Sequence, residues 1–318
     1  MQHVPPGVPW EVLVVDNASH DETAAQARAL WQATAAAPLR VVSEPRIGLS
    51  FARERGGREA RYGIICFVDD DNWLEPDYLA RAWQIIATNP SVGACGGSVS
   101  PVFEAHEPAW FRGLSRNFAV GQQANTTGDV TNRPGHLWGA GLCVRKAAWE
   151  RLEAAGFQSI LSDRRGRELT SGGDYELCYA LRLDGWNLYY DSDLRLRHFM
   201  PAVRMRWDYL LRLSRGHGVT RMGFDPYYFA LRGWSPMLLR WGRPLWGWQT
   251  LIALGKVVGL HTIDWLRSIW TLDEGRVSRL SAEFQLGRLQ FLLRARGDYD
   301  RTIDQVWRLA ERLQNDRG

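Results

Sequence analysis

The chain has 318 residues, of which 45% are hydrophobic and 23% are charged, and its formal net charge is +4. This composition excludes a disordered, collagen-like or coiled-coil protein, and the length allows one large domain or two of medium size. The cysteines have apolar neighbours and no CxxC spacing, which argues against a disulfide scaffold or a thiolate zinc site: they are Cys66, Cys95, Cys143 and Cys178. Since the start, MQHVPPGVPW, does not resemble a signal peptide, we expect a cytoplasmic protein with buried free thiols.

The charge is distributed unevenly along the chain. Residues 1–200 carry 20 Lys and Arg against 24 Asp and Glu, a net charge of −4, whereas residues 201–318 carry 19 against 11, a net charge of +8. The second part also holds 8 of the 16 tryptophans. A basic, Trp-rich surface suits an anionic partner such as a membrane, a polyphosphate or a nucleic acid, but no recognised motif supports nucleic-acid binding.

Short apolar runs alternate with helical segments over the first hundred residues. Strands are predicted at 11–15, 39–43, 63–68 and 92–99, and helices at 21–36, 50–61 and 76–88. Because the strands are continuously apolar, this alternation predicts an α/β fold with a mostly parallel sheet that is covered by helices on both faces.

The pattern loosens after Pro101, and residues 103–135 are predicted to be mostly loop. Further elements are expected as strands at 137–144 and 186–190, and as helices at 146–155, 174–183, 207–216, 226–242, 245–270, 276–295 and 299–314. Charge and periodicity both change near residue 200. We therefore expect a catalytic domain at 1–200 and a helical, basic region at 201–318.

Acidic residues follow two of the predicted strands. Asp16 ends the first strand, and the triplet at 69–71 follows the run IICFV. Ligands of open α/β sheets bind beyond the carboxyl ends of the strands. Adjacent carboxylates repel one another unless a cation lies between them, and Mg²⁺ is commonly held by one or two carboxylates together with substrate phosphates. The triplet thus indicates a metal–diphosphate site, the alternative being a solvated acidic turn.

Several motifs occur together in one order. They are VVDNASHDET from Val14, EPRIGLSFARERG from Glu44, FVDDDNWLEPDYL from Phe67, GHLWGAGLCVRKAAW from Gly135 and GGDYELCYALRLDGW from Gly172. In order and spacing this set resembles the family 2 glycosyltransferases of GT-A fold, of the kind found in bacterial polysaccharide biosynthesis, over about residues 10–200. Each motif alone is weak, whereas the set is specific.

The resemblance implies inverting transfer of a sugar from a nucleotide donor, most commonly a UDP-sugar in this family. Asp16 matches the acid that contacts the nucleotide, and Asp69 and Asp71 match the metal-binding acids of a DxD motif, where Mg²⁺ or Mn²⁺ would neutralise the leaving diphosphate. Asp174 matches the general base that accepts the proton of the acceptor hydroxyl. Glu176 is the second candidate base, but two residues further along a helix it faces away from Asp174.

Other site residues follow from the same resemblance. The segment Trp138, Gly139, Ala140 and Gly141 matches the acceptor-side loop, with ordinary packing as the alternative for the indole. His198 is a candidate metal ligand and Arg204 a candidate diphosphate contact. Either residue could instead have a purely structural role. Arg53 lies where the family pattern has ARN, but Glu54 replaces the usual asparagine.

The start of the chain departs from the family pattern. The family normally has a strand and a helix some thirty residues before the VVDNAS element, whereas here ten residues, three of them proline, precede Glu11. Prolines lack the donor that a central strand needs. We therefore expect the first strand and helix to be missing, so that either the true start lies upstream or the chain is truncated, with impaired folding and donor binding.

The C-terminal region mixes tryptophans with cations. They are Trp234, Trp241, Trp246, Trp248, Trp265, Trp270, Arg232, Arg240, Arg243, Lys256 and Arg267. This mixture favours peripheral attachment to the inner face of the cell membrane, with a helical lid as the alternative.

The leading hypothesis is a metal-dependent glycosyltransferase that acts on a saccharide or lipid-linked acceptor in cell-surface polysaccharide synthesis. A non-catalytic remnant that serves as a binding or scaffold subunit is the main alternative. A nucleotidyltransferase is a weaker third hypothesis.

Overall fold

The computed structural model describes residues 1–32, 37–161, 172–240, 245–260, 274–295 and 298–315. The strands are β1 (Val12–Asp16), β2 (Leu39–Ser43), β3 (Ile64–Cys66), β4 (Asn72–Leu74), β5 (Val92–Phe103), β6 (Gly128–Asp129), β7 (Cys143–Arg145) and β8 (Asn187–Met200). The helices of the first two hundred residues are α1 (Thr23–Gln32), α2 (Leu49–Glu59), α3 (Tyr78–Thr88), α4 (Phe111–Leu114), α5 (Lys146–Ala154) and α6 (Gly173–Leu183). Those that follow are α7 (Trp207–Gly223), α8 (Asp225–Leu231), α9 (Pro236–Arg240), α10 (Leu245–Leu260), α11 (Val277–Ala295) and α12 (Asp298–Asn315).

The described strands form two sheets. β1 and β2 pair in parallel, and a six-stranded sheet has the order β3-β7-β5-β8-β4 with β6 also paired to β8. Within the larger sheet β5 and β8 are parallel, whereas the other four pairs are antiparallel. The prediction of a mostly parallel sheet is therefore wrong for this sheet. A strand that is buried on both faces has the same apolar pattern whichever way its neighbour runs, so the sequence did not reveal the direction.

Helices cover both faces of the six-stranded sheet, as predicted. Successive residues of a strand point to opposite faces. Accordingly, Ala94 and Val144 pack into one core with α5, α6, α8 and α12, whereas Cys95 and Cys143 pack into a second core with α3 and α7. All four cysteines are free, and three of them are buried.

The small sheet of β1 and β2 is less well covered. Every residue of β1 is partly exposed, although the strand reads VLVVD. The larger sheet begins at β3, and within the described residues β1 pairs with β2 alone. The expectation that the family's first strand is missing is not tested by this arrangement and stays a prediction.

The C-terminal region is helical, as predicted, but several boundaries differ, and the helix expected at 207–216 continues to Gly223 as α7. The helix expected at 226–242 is broken into α8 and α9, because Gly233 adopts a left-handed φ of +69° between them. The helix expected at 245–270 is seen as α10, whereas residues 261–270 lie outside the described part. None of the helices in the described residues is long and apolar enough to cross a membrane.

Helices α7 and α11 cross at unusually close range. A Cβ atom added to Gly218 would lie 2.0 Å from the carbonyl oxygen of Phe284, and one added to Gly287 would lie 2.0 Å from that of Arg215. Ser214 donates a hydrogen bond to the carbonyl oxygen of Leu280 at 2.8 Å beside this crossing. The two backbones therefore touch directly, which fixes α11 against the wall of the cavity described next.

Candidate active site

A cavity of about 450 Å³ opens between the sheet, α6, α7 and α11. It brings together most of the residues that the sequence singled out, namely Asp69, Asp71, Trp138, Gly139, Ala140, Asp174, His198 and Arg204. Two predicted residues, Asp16 and Gly141, are not among those that line it. The cavity thus has an acidic end near Asp71 and a second end near Asp174.

Strand register explains how the acidic end forms. β4 pairs antiparallel with β8 so that Asn72 lies opposite His198. The backbone N–H of Phe199 donates to the carbonyl oxygen of Asp71 at 2.7 Å and extends the pairing by one residue. As a result, the carboxylate of Asp71 lies next to the imidazole of His198, which is distant in the sequence.

Three side chains hold the carboxylate of Asp71. Arg204 Nη1 donates to Oδ2 at 2.8 Å, Asn72 Nδ2 donates to Oδ1 at 2.9 Å, and His198 Nε2 lies 3.3 Å from Oδ2. Burial alone would raise the pKa of Asp71, but the hydrogen bond with His198 and the charge of Arg204 lower it to about 2. The group is therefore ionised over the whole physiological range. Asp70, between the two cavity acids, is exposed.

The donor chemistry at this end fits a hard divalent cation, because Asp69, Asp71 and His198 offer carboxylate oxygens and an imidazole nitrogen to the same cavity. The Nδ1 atom of His198 is buried and has no hydrogen-bond partner in the described residues. As arranged, no three His, Cys, Asp or Glu side chains of the described part lie close enough together to chelate an ion. Instead, the guanidinium of Arg204 balances the charge of Asp71, and His198 Nε2 lies within contact of the same oxygen.

The other end of the cavity is built around Asp174 in the first turn of α6. Its Oδ2 accepts the backbone N–H of Gly139 at 2.6 Å, and its Oδ1 accepts that of Tyr175 at 3.0 Å. A Cβ atom added to Gly139 would lie 2.6 Å from Arg53 Nη2 and 3.2 Å from Asp174 Oδ2. Glycine therefore suits this close approach, and its N–H fixes the position of one oxygen of the carboxylate.

The segment 137–142 was predicted to be part of a strand, but it is a loop, and the strand is limited to β7. Side chains distant in the sequence accept its backbone N–H groups: Cys178 Sγ accepts that of Leu137 at 3.4 Å, and Gln123 Oε1 accepts that of Trp138 at 2.6 Å. The loop turns at Gly141, where φ is +69°. A strand ladder is unnecessary because these partners satisfy the backbone.

Trp138 contributes more to packing than the sequence indicated. Only 5% of it is exposed, and it belongs to one of the two cores. The guanidinium of Arg116 lies over its ring at 5.6 Å. Trp138 still lines the cavity, but with little of its surface.

Several cavity residues were missed by the sequence analysis. His136 stacks on Tyr175 with ring centroids 3.9 Å apart, and Tyr175 stacks in turn on Phe224 at 5.4 Å. Burial, reinforced by the charges of Arg116 and Arg182, lowers the pKa of His136 to about 4. His136 and Tyr175 lie inside quoted motifs, so motif membership was the only available signal. Phe224 belongs to the helical region and had none.

Asp16 and its neighbour belong to a different part of the surface. The backbone N–H of Ser19 donates to Asp16 Oδ1 at 3.1 Å. Asn17 donates to the carbonyl oxygens of Glu44 and Arg46 and accepts the N–H of Gly48 at 2.8 Å. Asn17 thereby ties the end of β1 to the loop before α2.

Glu176 has a structural environment. It is fully buried and accepts hydrogen bonds from the Ser159 hydroxyl and from the backbone N–H groups of Ile160 and Leu161, both at 3.0 Å. The hydroxyl of Tyr227 donates to it from α8 at 3.3 Å. Glu176 therefore anchors the loop before α6 and does not line the cavity.

Comparison with known sequences agrees with the motifs. Residues 2–141 match the model of the family described as Glycosyl transferase family 2. This part of the chain is therefore similar to the family 2 glycosyltransferases. The prediction of a GT-A-like α/β fold followed by a helical region is confirmed. Asp69 and Asp71 lie within the matched region, whereas Asp174, His198 and Arg204 lie beyond it.

The chain is also similar in sequence to one archaeal enzyme. The chain is 22% identical over 182 residues to glucosyl-dolichyl phosphate glucuronosyltransferase of Haloferax volcanii, and the match covers 57% of each chain. The chain thus matches little more than half the length of that relative.

Two solved structures are similar at TM-scores below 0.5. One is the mannosyltransferase PcManGT from Pyrobaculum calidifontis in complex with GDP-Man and Mn²⁺, at TM-score 0.49 and 20% identity, over 90% of this chain and 77% of that one. The other is S. aureus TarS 1-349 in complex with UDP, at TM-score 0.45 and 14% identity, over 91% and 84%.

Proposed function

We propose that the protein is a metal-dependent, inverting glycosyltransferase. It moves a hexose from a nucleotide-diphosphate donor, with a UDP-sugar as the first candidate, to a hydroxyl of a saccharide or lipid-linked acceptor in cell-surface polysaccharide synthesis. The observation that carries the proposal is a single cavity that joins the acidic end at Asp71 to the carboxylate of Asp174. The match of residues 2–141 to the family 2 glycosyltransferases supports the reaction class.

Each end of the cavity has a separate role in this reaction. Asp174 accepts the proton of the acceptor hydroxyl. At the same time the hydroxyl oxygen bonds to the anomeric carbon, and the bond from that carbon to the nucleotide diphosphate breaks. The hydrogen bond from Gly139 keeps one oxygen of Asp174 in place beside the cavity. Attack on the face opposite the leaving group inverts the anomeric centre.

Asp69, Asp71 and His198 would hold Mg²⁺ or Mn²⁺, which supplies positive charge to the leaving diphosphate. Arg204 donates one hydrogen bond to Asp71 at 2.8 Å, and a guanidinium has further N–H groups that can bind a phosphate. Asp16, at the end of β1, is proposed to contact the nucleotide. The lipid-linked acceptor is supported by the name of the Haloferax relative, which contains a dolichyl phosphate.

The first experiment is a calorimetric titration of the purified protein with UDP and GDP, each with and without Mn²⁺, followed by transfer assays with the matching nucleotide sugars. Metal-dependent binding of one nucleotide and release of that nucleotide during transfer are expected. A folded protein that binds neither would favour the non-catalytic subunit instead. Asp70→Asn is the matched control for Asp71→Asn, because Asp70 adjoins the site but is exposed.

A further inference from the structure

Helix α10 is built with its apolar residues outside. The exposed ones are Trp248, Leu251, Ile252, Leu254 and Val258, with exposed fractions between 44% and 62%. Ala253 is fully buried, and the polar residues Gln249 and Thr250 are only partly exposed. An ordinary surface helix has the opposite arrangement, with polar residues towards water.

The exposed apolar residues share one side of the helix. At about 100° per residue, positions 248, 251, 252, 254 and 258 fall within an arc of roughly 160°. Gly255 is the remaining exposed residue of this arc, so the described outer face of α10 carries no charged side chain. Large contiguous apolar surfaces on a folded protein mark sites of protein or membrane interaction.

The sequence that contains α10 is basic, which favours an anionic membrane over another protein. Between Asp225 and Asp264 the sequence contains no Asp or Glu, but it contains Arg232, Arg240 and Arg243 as well as Lys256 in α10 itself. Cations beside an apolar helix face are attracted to anionic lipid headgroups. Two further apolar side chains of this cationic segment, Trp234 and Met237, are 46% and 81% exposed.

The length of α10 fits insertion parallel to the bilayer surface. Its 16 residues span about 24 Å, whereas a hydrocarbon core is about 30 Å thick. The inner face is anchored to the protein, since the indole of Trp246 donates to the carbonyl oxygen of Leu292 in α11. Ala253 and Leu292 pack in the same cluster. Only the outer face is therefore available to lipid.

The attachment of α10 also connects it with the cavity. It packs on α11, which crosses α7 at Gly218 and Gly287. Tyr209 and His217 of α7 and Phe284 of α11 line the cavity. A bilayer bound to α10 would thus lie one helix layer away from the second end of the cavity.

We propose that the outer face of α10 docks the protein on an anionic lipid bilayer, with the exposed apolar residues inserted among the acyl chains near the headgroups. This proposal does not depend on the sugar that is transferred or on the reaction itself. The tryptophan content of the sequence predicted membrane attachment in general, whereas this proposal assigns the attachment to one face of one helix. Trp246 packs inward, whereas Trp241, Trp265, Trp270, Arg243 and Arg267 lie outside the described residues.

The test is flotation of the full chain with vesicles of phosphatidylcholine and of phosphatidylcholine mixed equally with phosphatidylglycerol. The double variant Leu251→Asp/Val258→Asp places two carboxylates on the outer face, and Leu30→Asp changes an apolar residue that is 73% exposed on α1. Thermal unfolding and nucleotide binding show whether each variant is folded. Amide hydrogen exchange of residues 245–260 with and without vesicles reports the same contact in the unchanged protein.

The mixed vesicles should bind the wild type and Leu30→Asp equally, and the double variant at least about tenfold more weakly, with protection confined to α10. Equal binding of the double variant, or no binding of the wild type and no protection of α10, would overturn the proposal. The wild type could instead form a dimer without vesicles, and the double variant could abolish that dimer. This result would assign the face to a second copy of the chain and would also overturn the proposal.

Discussion

The backbone N–H of Gly139 donates to Oδ2 of Asp174 at 2.6 Å, which joins the acceptor-side loop to the proposed general base. The two residues are 35 positions apart and belong to different motifs. The bond means that the loop and the base are positioned together, so that a change to either one has both a structural and a chemical effect.

Asp174→Asn and Asp174→Ala separate these two effects. The asparagine can still accept the Gly139 N–H through its amide oxygen, but it cannot accept a proton from an acceptor hydroxyl. We expect kcat to fall by about 10²–10⁴-fold in Asp174→Asn, with little change in the melting temperature. Asp174→Ala should in addition lose about 1 kcal/mol of unfolding free energy. Undiminished turnover in Asp174→Asn would remove this residue from the mechanism.

Asp71→Asn tests the acidic end. It removes the charge that balances Arg204, and it weakens the proposed metal site. We expect transfer to fall by at least about 100-fold and the Mn²⁺ concentration for half-maximal activity to rise. Asp70→Asn, one residue away on the exposed side, should leave both quantities unchanged. Equal losses in the two variants would point to general electrostatics of the triplet and not to Asp71.

His136 predicts a pH dependence of stability. Burial and the charges of Arg116 and Arg182 lower its pKa to about 4, below its ordinary value of about 6.5. The folded state therefore holds His136 neutral, and the unfolded state binds the proton first as the pH falls. The contribution is complete above about pH 6.5 and is lost towards pH 4, at up to about 1.4 kcal/mol per pH unit.

Urea unfolding of the wild type and His136→Asn at several pH values measures this contribution. The unfolding free energy of the wild type should decrease more steeply between about pH 6.5 and pH 4 than that of the variant. His217, whose pKa burial also lowers to about 4, remains in both proteins and cancels in the comparison. Parallel curves would show that His136 titrates alike in the folded and unfolded states.

Glu176→Gln tests the anchor beneath the site. The change replaces an acceptor of several hydrogen bonds, including the N–H groups of Ile160 and Leu161, with a group that is partly a donor. We expect the unfolding free energy to fall by about 2–3 kcal/mol, because the amide nitrogen cannot accept and the donors at one of the two carboxylate oxygens lose their partner in a fully buried place. Glu150→Gln, at an exposed ion pair, should change it by less than about 0.5 kcal/mol.

The helix crossing gives a further pair of matched variants. Gly218→Ala places a Cβ 2.0 Å from the carbonyl oxygen of Phe284, so α7 and α11 must separate, and we expect a loss of about 2 kcal/mol or more. Gly255→Ala meets nothing within 4 Å in α10 and should be neutral or stabilise the protein by up to about 1 kcal/mol, because alanine favours helix. Similar melting temperatures for the two would contradict the close contact.

The sequence predicted what depends on local pattern. The runs that became β1 and β2 are rich in valine and leucine, and α5 and α6 have clear helical periodicity. The segment 137–142 was misassigned because its backbone partners, Gln123, Asp174 and Cys178, are distant in the sequence. Strand direction was missed for a similar reason, since it is a property of the pair and not of either strand.

The candidate site divides in the same way. Asp71 and Asp174 were predicted from motifs. The contact of Asp71 with His198 and Arg204, by contrast, depends on the register of β4 with β8. The stacking of Phe224 on Tyr175 depends on how α8 packs against α6. No short-range pattern encodes a contact between helices that are distant in the sequence, because it is the outcome of tertiary packing.

The contact of α7 and α11 at Gly218 and Gly287 also has a consequence for how the residues that line the cavity can change in evolution. On α7, Ser214 and Gly218 face α11, while Leu213 and His217 face the cavity. The joint is made by backbone atoms, so it does not depend on which side chains stand on the cavity side. Duplicated copies of the gene could therefore exchange residues at the cavity positions and acquire new acceptor preferences, while the scaffold that holds the reacting groups is inherited unchanged.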